Sequence, residues 1–261
     1  MAAPHENSLI WLRPEPSGRK PRYSREQIAR TALAIADAEG FEAATMKRIA
    51  AELGSATMTL YYYVRTKGDI IALMHDAILE EVLVPAGALP HDWREATAEI
   101  SRRSRRALIA HPWALASLND AQFGPNAIRH YEQSLAALRQ TNLTAPQKVT
   151  LTAIVDDYVV GSALHTVESL HRARAARDNP ASVADAIAFG GALLSSGEFP
   201  EMAALSAGMS APADDGPADD RPADGPAMDA DSLSIQFEAG LAALLDGLSR
   251  SMEVTQQGGA A

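Results

Sequence analysis

A glycine turn between two short helical segments constrains the fold of the first third of the chain. Residues 45–53 carry apolar side chains at helical spacing, and Gly54 interrupts them before a further short segment over residues 57–64. Capping-box patterns at residues 24–27 and 66–69 predict the start of one helix before this pair and of a longer helix after it. Three short helices with a glycine turn between the second and the third are typical of a helix-turn-helix unit.

The rest of the chain is also predicted to be helical. No strand-like alternation of any length appears, and further capping patterns precede apolar stripes at residues 92–95, 144–147 and 182–185. Alanine is abundant and aromatic residues make up only 5% of the chain, which favours helix over strand. The sequence therefore predicts an all-α fold.

Prolines and composition divide the chain into segments. A linker bracketed by prolines, residues 85–90, separates a helix-turn-helix domain expected over residues 18–84, with a bridging fourth helix, from a second helical domain expected over residues 91–252. Residues 1–17 hold three prolines and no sustained periodicity, which predicts a flexible arm. Residues 210–228 form a degenerate Pro-Ala-Asp-Asp repeat that cannot bury surface, and we expect a disordered insert there.

Composition and motif content exclude several classes of protein. The absence of cysteine rules out disulfides, thiolate metal sites and cysteine nucleophiles. No run of about 18 apolar residues occurs and the start lacks a signal-peptide pattern, so we expect no membrane span and a cytoplasmic location. No glycine-rich phosphate loop, zinc-protease motif, serine-hydrolase motif or clustered pair of catalytic carboxylates is present, so we expect neither an enzyme nor a cofactor.

Charge is distributed unevenly along the chain. The net charge is −10, yet residues 18–70 hold nine Lys and Arg against six Asp and Glu, a balance of +3. Residues 201–231 hold eight acids and one Arg, a balance of −7. Most of the acidity therefore lies late in the chain, and the basic amino-terminal part is compatible with binding to nucleic acid.

Three adjacent tyrosines, Tyr61, Tyr62 and Tyr63, follow the glycine turn. Successive helical side chains are turned by about 100°, so at least one phenol must face solvent. The neighbouring cations Arg65 and Lys67 make this run typical of a surface that binds phosphates and base edges. Packing of the tyrosines in the seam between the two domains is the alternative.

Residues 24–80 resemble the amino-terminal domain of the TetR (tetracycline repressor) family of bacterial transcription regulators. The matching motifs are Ala38-Glu-Gly-Phe41, Thr45-Met-Lys-Arg-Ile-Ala50, Leu53-Gly54, Thr59-Leu-Tyr61, Val64 and Lys67. The remainder is similar to the ligand-binding domains of the subgroup that contains the Tet repressor. The residues that carry this second likeness are Asp92-Trp-Arg-Glu95, His111-Pro-Trp113, Asp157-Tyr158 with Gly161, and Phe237-Glu-Ala-Gly-Leu241 with Leu245-Asp-Gly-Leu248.

The resemblance implies that the third helix is a recognition helix in the major groove of DNA. Thr57, Met58 and Thr59 would lie at its exposed start, where Met58 departs from the polar pattern and can supply only apolar contact. Lys67 resembles the phosphate-binding lysine of the family. The predicted DNA contacts are Thr45, Lys47, Thr57, Met58, Thr59, Tyr61, Tyr62, Tyr63 and Lys67.

The resemblance also implies a homodimer. The helices predicted over residues 145–174 and 231–251 carry more apolar surface than one helix edge needs. Packing both against a twofold mate would give a four-helix bundle, and burial within one chain is the alternative.

A pocket for a small molecule is the third implication. The candidate pocket residues are polar or aromatic: His75, Trp113, Asn119, Phe123, Tyr131, Asp156, Tyr158 and His165. Asp156 lies on an apolar stripe, where it can pair with a cationic ligand or make a structural hydrogen bond across the dimer seam. No cluster of His, Asp and Glu has the spacing of a metal site, so no metal is expected.

Together these observations predict a homodimeric transcriptional repressor that binds a palindromic double-stranded DNA operator and is released by a small-molecule effector. A ligand-binding or scaffolding helical dimer without specific DNA binding is the alternative.

Overall fold

The computed structural model describes residues 9–15, 22–118, 122–210 and 230–256. Every regular element in these ranges is helical and none of them contains a strand, which confirms the all-α prediction. The helices are α1 (Arg25–Glu39), α2 (Met46–Glu52), α3 (Thr57–Leu60), α4 (Lys67–Val82), α5 (Trp93–Ala110), α6 (Trp113–Ala116), α7 (Pro125–Ala137), α8 (Ala145–Asp178), α9 (Pro180–Ser195), α10 (Pro200–Ser210) and α11 (Ala230–Ser251).

The chain forms two compact units, one drawn from Met1–His165 and Gln236–Ala261 and the other from Thr166–Ile235. The long helices α8 and α11 each contribute to both units. No division falls at the proline-bracketed linker, because α4 packs against α1 and also against α5 and α7. The predicted bridging helix therefore lies inside the first unit.

The first four helices enclose one apolar core. Ile28, Ile49, Leu60, Val64 and Met74 are fully buried in it, so each of α1 to α4 or the turn after it contributes at least one side chain. Both predicted capping boxes are present: Ser24 with Gln27 opens α1, and Thr66 with Asp69 opens α4. The helix-turn-helix prediction is confirmed for this region.

The third helix is shorter than the 57–64 segment predicted. Regular α-helix ends at Leu60, and residues 61–63 tighten into a turn in which Tyr63 N–H donates to Leu60 O at 2.9 Å. Such i to i−3 bonds commonly close the last turn of a helix, and they rotate the side chains that follow.

Residues 9–15 correct the prediction of a flexible arm over residues 1–17. Residues 10–12 form a 3-10 turn, and Ile10 is fully buried in the core of the first four helices. The sequence did not predict this contact, because a single buried isoleucine in a stretch with prolines produces no periodic apolar pattern.

A second core lies among α5, α7, α8 and α11. Its largest buried members are Trp93, Leu138, Leu151, Phe237 and Leu241. These side chains hold the parts of α8 and α11 that belong to the first unit.

The second unit comprises the end of α8, α9, α10 and the start of α11. Helix α9 begins at Pro180 behind the cap Asn179, slightly before the predicted capping pattern, and α10 was not predicted at all. Helices α9 and α10 pack against each other yet keep several large apolar side chains exposed: Ile187, Phe189, Met202 and Leu205.

The predicted disordered insert falls outside the described residues, except for residue 210, which ends α10. Among the described helices, none is both long and apolar enough to cross a membrane.

Candidate nucleic-acid interface and ligand cavity

The turn between α2 and α3 orients the candidate recognition helix. Thr45 caps α2 by accepting a hydrogen bond from Arg48 N–H at 3.1 Å. Gly54 has φ of +61°, a left-handed conformation that side-chain-bearing residues rarely adopt, so glycine is favoured there. Leu60, which is fully buried, then fixes which face of α3 points outward.

The outward face of this region carries most of the predicted DNA contacts. Met58 is 72% exposed and Tyr62 is 78% exposed, and Tyr61 is also exposed. Thr57 and Thr59 are partly exposed on α3, and Thr45 and Lys47 are exposed at the start of α2. An exposed, short helix after a tight turn offers hydroxyl, phenol and thioether groups to a groove.

Tyr63 corrects the prediction that all three tyrosines contact DNA. It is only 6% exposed, and its ring packs edge-on against Tyr23 with centroids 6.4 Å apart. Its hydroxyl accepts a hydrogen bond from Tyr23 N–H at 3.4 Å. The turn that ends α3 rotates this side chain into the core, so Tyr63 packs behind α3 and has no exposed phenol to offer a groove.

Lys67 lies at the start of α4 on the same region of the surface. Its ammonium donates to Glu42 Oε2 at 3.0 Å and lies 5.1 Å from the centroid of the Phe41 ring. Exposed ion pairs of this kind contribute little net stability, about 0–1 kcal/mol, so a phosphate can replace Glu42 as the partner. Arg48 differs, because hydrogen bonds to both Glu39 and Glu52 occupy its guanidinium.

Sequence reasoning missed two residues that hold the helix-turn-helix, one at the end of α2 and one at the turn after α3. Tyr23 donates its hydroxyl to Leu53 O at 3.0 Å, and Arg25 Nε donates to Tyr63 O at 3.1 Å. Both contacts join positions 30 or more residues apart in sequence, and neither residue type carried a local signal.

The predicted pocket residues do not converge on one site. Phe123, Tyr131 and His165 are exposed. Tyr158 donates its hydroxyl to Phe237 O at 3.0 Å and stacks on that ring, so it packs α8 against α11. Asn119 lies outside the described residues.

His75 and Trp113 belong to the junction between the helix-turn-helix and α6. Both are buried, with ring centroids 5.6 Å apart, and Trp113 also stacks on Phe41 at 5.5 Å. Trp113 Nε1 donates to Asp37 Oδ1 at 2.8 Å, and His111 Nδ1 lies 2.9 Å from the same carboxylate. These residues link α1 to the turn before α6 and therefore act in packing.

Asp156, one of the predicted pocket residues, lines a cavity. The cavity lies among α5, α7 and α8 and measures about 20 Å³, enough for one or two water molecules. Asp156 is exposed at its edge, yet burial first, and the negative charge of Asp157 second, raise the pKa of its carboxyl to about 6.

Hydroxyl groups make up much of the remaining lining. Thr97, Ser101 and Ser134 donate their hydroxyl protons to carbonyls one turn earlier in their own helices, at 2.7 to 3.1 Å. Their oxygen lone pairs are therefore the groups left for a bound molecule. Two further hydroxyls, those of Ser104 and Thr152, complete the polar part of the wall.

Comparison with known proteins gives two family matches along the chain. Residues 28–74 match the model of bacterial regulatory proteins of the tetR family. Residues 86–218 match the model of the tetracyclin repressor-like C-terminal domain.

Individual relatives are regulators of the same kind. The chain is 35% identical over 207 residues to the HTH-type transcriptional repressor DrrR1 of Streptomyces coeruleorubidus, covering 76% of this chain and 75% of the relative. It is 31% identical over 91 residues to the tetracycline repressor protein class E of Escherichia coli, covering 34% of this chain and 43% of that protein.

A solved structure extends the likeness over most of the chain. The Streptomyces coelicolor TetR family protein ActR in complex with actinorhodin is 27% identical, with a TM-score of 0.67, over 88% of this chain and 97% of ActR. The apo form of ActR is 26% identical with a TM-score of 0.61.

Proposed function

Since the chain belongs to the TetR family of bacterial transcriptional regulators, we propose that it represses transcription as a homodimer that binds a palindromic operator and leaves it when a small molecule binds. It is a non-enzymatic, DNA-binding regulator. DNA binding belongs to residues 18–84 in this proposal, and effector binding and dimerisation belong to residues 91–252. The cytoplasm, where the DNA lies, is the proposed location.

The observation that carries the proposal is the outward face of α3. Met58 projects from α3 and Tyr62 from the turn that follows it, and the buried side chains of Leu60 and Tyr63 hold this region in place. Lys67, close by at the start of α4, supplies a cation for the phosphate backbone. Rigid support behind an exposed reading face is the arrangement that base recognition needs.

The test begins with selection of duplexes from a random library by the wild-type protein. Tyr62→Ala is expected to weaken binding to the selected operator roughly tenfold and to relax preference at one position in each half-site. Lys67→Ala is expected to weaken binding to all duplexes alike. It should also lower the slope of log affinity against log salt by about one for each phosphate that the protein no longer neutralises. Tyr131→Ala, which removes a phenol from α7, is the matched control and should leave both quantities unchanged.

Two outcomes would contradict the proposal in different ways. If Tyr62→Ala and Lys67→Ala both bind the operator with wild-type affinity, the assignment of DNA contacts to α3 and the start of α4 is wrong. If the wild-type protein enriches no duplex at all, the alternative of a helical dimer without specific DNA binding is favoured.

Exposed apolar side chains support the homodimer. On α8, Val149 and Leu164 face solvent in the single chain, although both lie on a helix long enough to form a bundle seam. Large unpaired apolar surfaces on a regulator of this size are typical of an interface. A twofold mate that covers them would give the four-helix bundle formed by α8 and α11 of both chains.

The cavity beside Asp156 supports a place for the effector. Its lining offers oxygen lone pairs and one carboxyl group, which favours a molecule with hydrogen-bond donors or a positive charge. At about 20 Å³ the cavity must open before such a molecule can enter. Opening would separate α5, α7 and α8, so an effector would favour a conformation different from the one described.

A further inference from the structure

Residues 9–15, which we call the anchor segment, lie outside both family matches. Ile10 is fully buried, whereas Leu12, two residues further along, is 68% exposed. The segment is therefore packed into the core through Ile10, while Leu12 remains on the surface.

One arginine joins the anchor segment to the end of the recognition helix. Arg25, the first residue of α1, donates from Nη1 to Ile10 O at 3.0 Å and to Arg13 O at 2.8 Å. The same guanidinium donates from Nε to Tyr63 O at 3.1 Å. Because a guanidinium is planar and rigid, these contacts fix the segment relative to the turn that ends α3.

A second contact joins the anchor segment to the start of α4. Arg13 forms an ion pair with Asp69, and both side chains are nearly buried. Asp69 also accepts hydrogen bonds from Arg65 N–H at 2.7 Å and Thr66 N–H at 3.2 Å. Burial alone would raise the pKa of Asp69, but the hydrogen bonds from Arg13 and from the two amides bring it below the ordinary value.

The third contact is with α7, which lines the ligand cavity at its far end. Gly124, the residue before α7, is packed so closely that an added Cβ would lie 2.7 Å from a ring carbon of Trp11 and would collide with the Asp76 carboxylate. That carboxylate accepts from Asn126 N–H at 2.8 Å in the first turn of α7. Because Gly124 has no side chain, the Trp11 ring can pack directly against the start of α7.

We infer that the anchor segment is a brace that sets the angle of the helix-turn-helix against α7, and that Trp11 is its positioning residue. The inference rests on the proposed function, since in a dimer the angle of each helix-turn-helix sets the distance between the two recognition helices. That distance decides which separation of operator half-sites the protein accepts. The brace therefore makes the protein selective for half-site spacing as well as for sequence.

The experiment measures spacing preference and not affinity alone. The wild-type protein first selects an operator, and duplexes are then made in which its half-sites are one base pair closer together or further apart. Affinities are compared for the wild type, Trp11→Ala, Trp11→Phe and the matched control Leu12→Ala. Thermal unfolding and gel filtration establish that each variant is folded and has the wild-type oligomeric state.

Trp11→Ala is expected to lower the preference for the selected spacing at least about threefold, because the coupling between neighbouring packed groups disappears. Trp11→Phe should restore most of the preference, since it refills most of the space at Gly124, and Leu12→Ala should not change it. Gly124→Ala, which crowds the same contact from the α7 side, should also lower the preference.

A purely structural role would lower the unfolding temperature of Trp11→Ala and leave its spacing preference intact, and that result would overturn the inference. The inference would also be overturned if Leu12→Ala lowered the preference as much as Trp11→Ala. A wild-type protein that selects no paired half-sites would contradict the proposed function itself, so the two failures are distinguishable.

Discussion

Asp156 is the residue at which we expect the cavity among α5, α7 and α8 to respond to pH. An aspartate in an unfolded chain titrates near 4, whereas burial and the charge of Asp157 raise the pKa here to about 6. The folded protein therefore holds this proton more tightly than the unfolded chain does. Its contribution to stability is fully present below about pH 4 and is lost as pH rises through 6.

Asp156→Asn is therefore expected to stabilise the protein above pH 6 and to have little effect near pH 4. The gain should be no more than about 1 kcal/mol, because solvent screens a carboxylate that is exposed at the cavity edge. Urea unfolding at pH 4 and pH 8, at one protein concentration, measures it. Asp157→Asn is the control and should give a smaller gain, since it acts only by lowering the pKa of Asp156. Equal gains at both pH values would show that the charge is not the cause.

The tyrosine run marks how far single residues can be predicted from sequence. The rotation of about 100° between adjacent helical side chains predicted at least one exposed phenol. It could not identify Tyr63 as the buried one, because that depends on the helix ending at Leu60 and tightening into a turn. The partner of Tyr63, Tyr23, lies 40 residues earlier in the chain.

Among the elements, α1 and α4 are both joined to the α5–α6 junction through carboxylates, Asp37 on α1 and Glu81 on α4. Asp37 on α1 accepts from Trp113 Nε1 at 2.8 Å and lies 2.9 Å from His111 Nδ1. The other nitrogen of His111 lies 3.3 Å from Glu81 on α4. A movement of the α5–α6 turn would therefore shift the helix-turn-helix through its contacts with α1 as well as with α4.

Asp37→Asn keeps the size of the side chain but removes the charge that Trp113 Nε1–H and His111 Nδ1 face. We expect a loss of about 1–3 kcal/mol in the free energy of unfolding, the range for hydrogen bonds to charged groups and for a buried donor left poorly paired. Urea unfolding measures the loss. Glu39→Gln, on the same helix as Asp37, weakens only an exposed ion pair with Arg48 on α2 and should cost clearly less. A similar loss in both variants would mean that the junction is no stronger than a surface ion pair.

Local patterns predicted the helices that carry a cap and an apolar stripe, and they failed where the partner is distant. Helices α1 and α4 start at their predicted capping boxes. Helix α10 escaped prediction, because its apolar side chains are distributed without a single buried face. The anchor segment escaped for a different reason: its contacts with Arg25 and Asp69 depend on tertiary packing and not on a repeat.

At the scale of the whole molecule, exposed apolar surface favours a partner. Val149 and Leu164 on α8 face solvent, and so do Ile187 and Phe189 in the second unit. Four such side chains on regular helices cost little individually, but together they favour association. A twofold axis would use each of them twice, so one substitution changes two sites in the dimer.

Leu164→Glu places a carboxylate where the proposed α8 seam would be buried, and in a symmetric dimer the two charges would lie in one interface. Burial of an unpaired charge is strongly unfavourable, so the dimer dissociation constant should rise at least about tenfold. Analytical ultracentrifugation across a concentration series measures this shift. Operator affinity should fall with it, because a monomer contacts one half-site only. Ile128→Glu makes the same change on exposed α7 and should leave both quantities unchanged, provided that α7 lies outside the seam. If Leu164→Glu instead dimerises as tightly as the wild type, the twofold contact lies elsewhere. The apolar face of α8 would then not form the proposed interface.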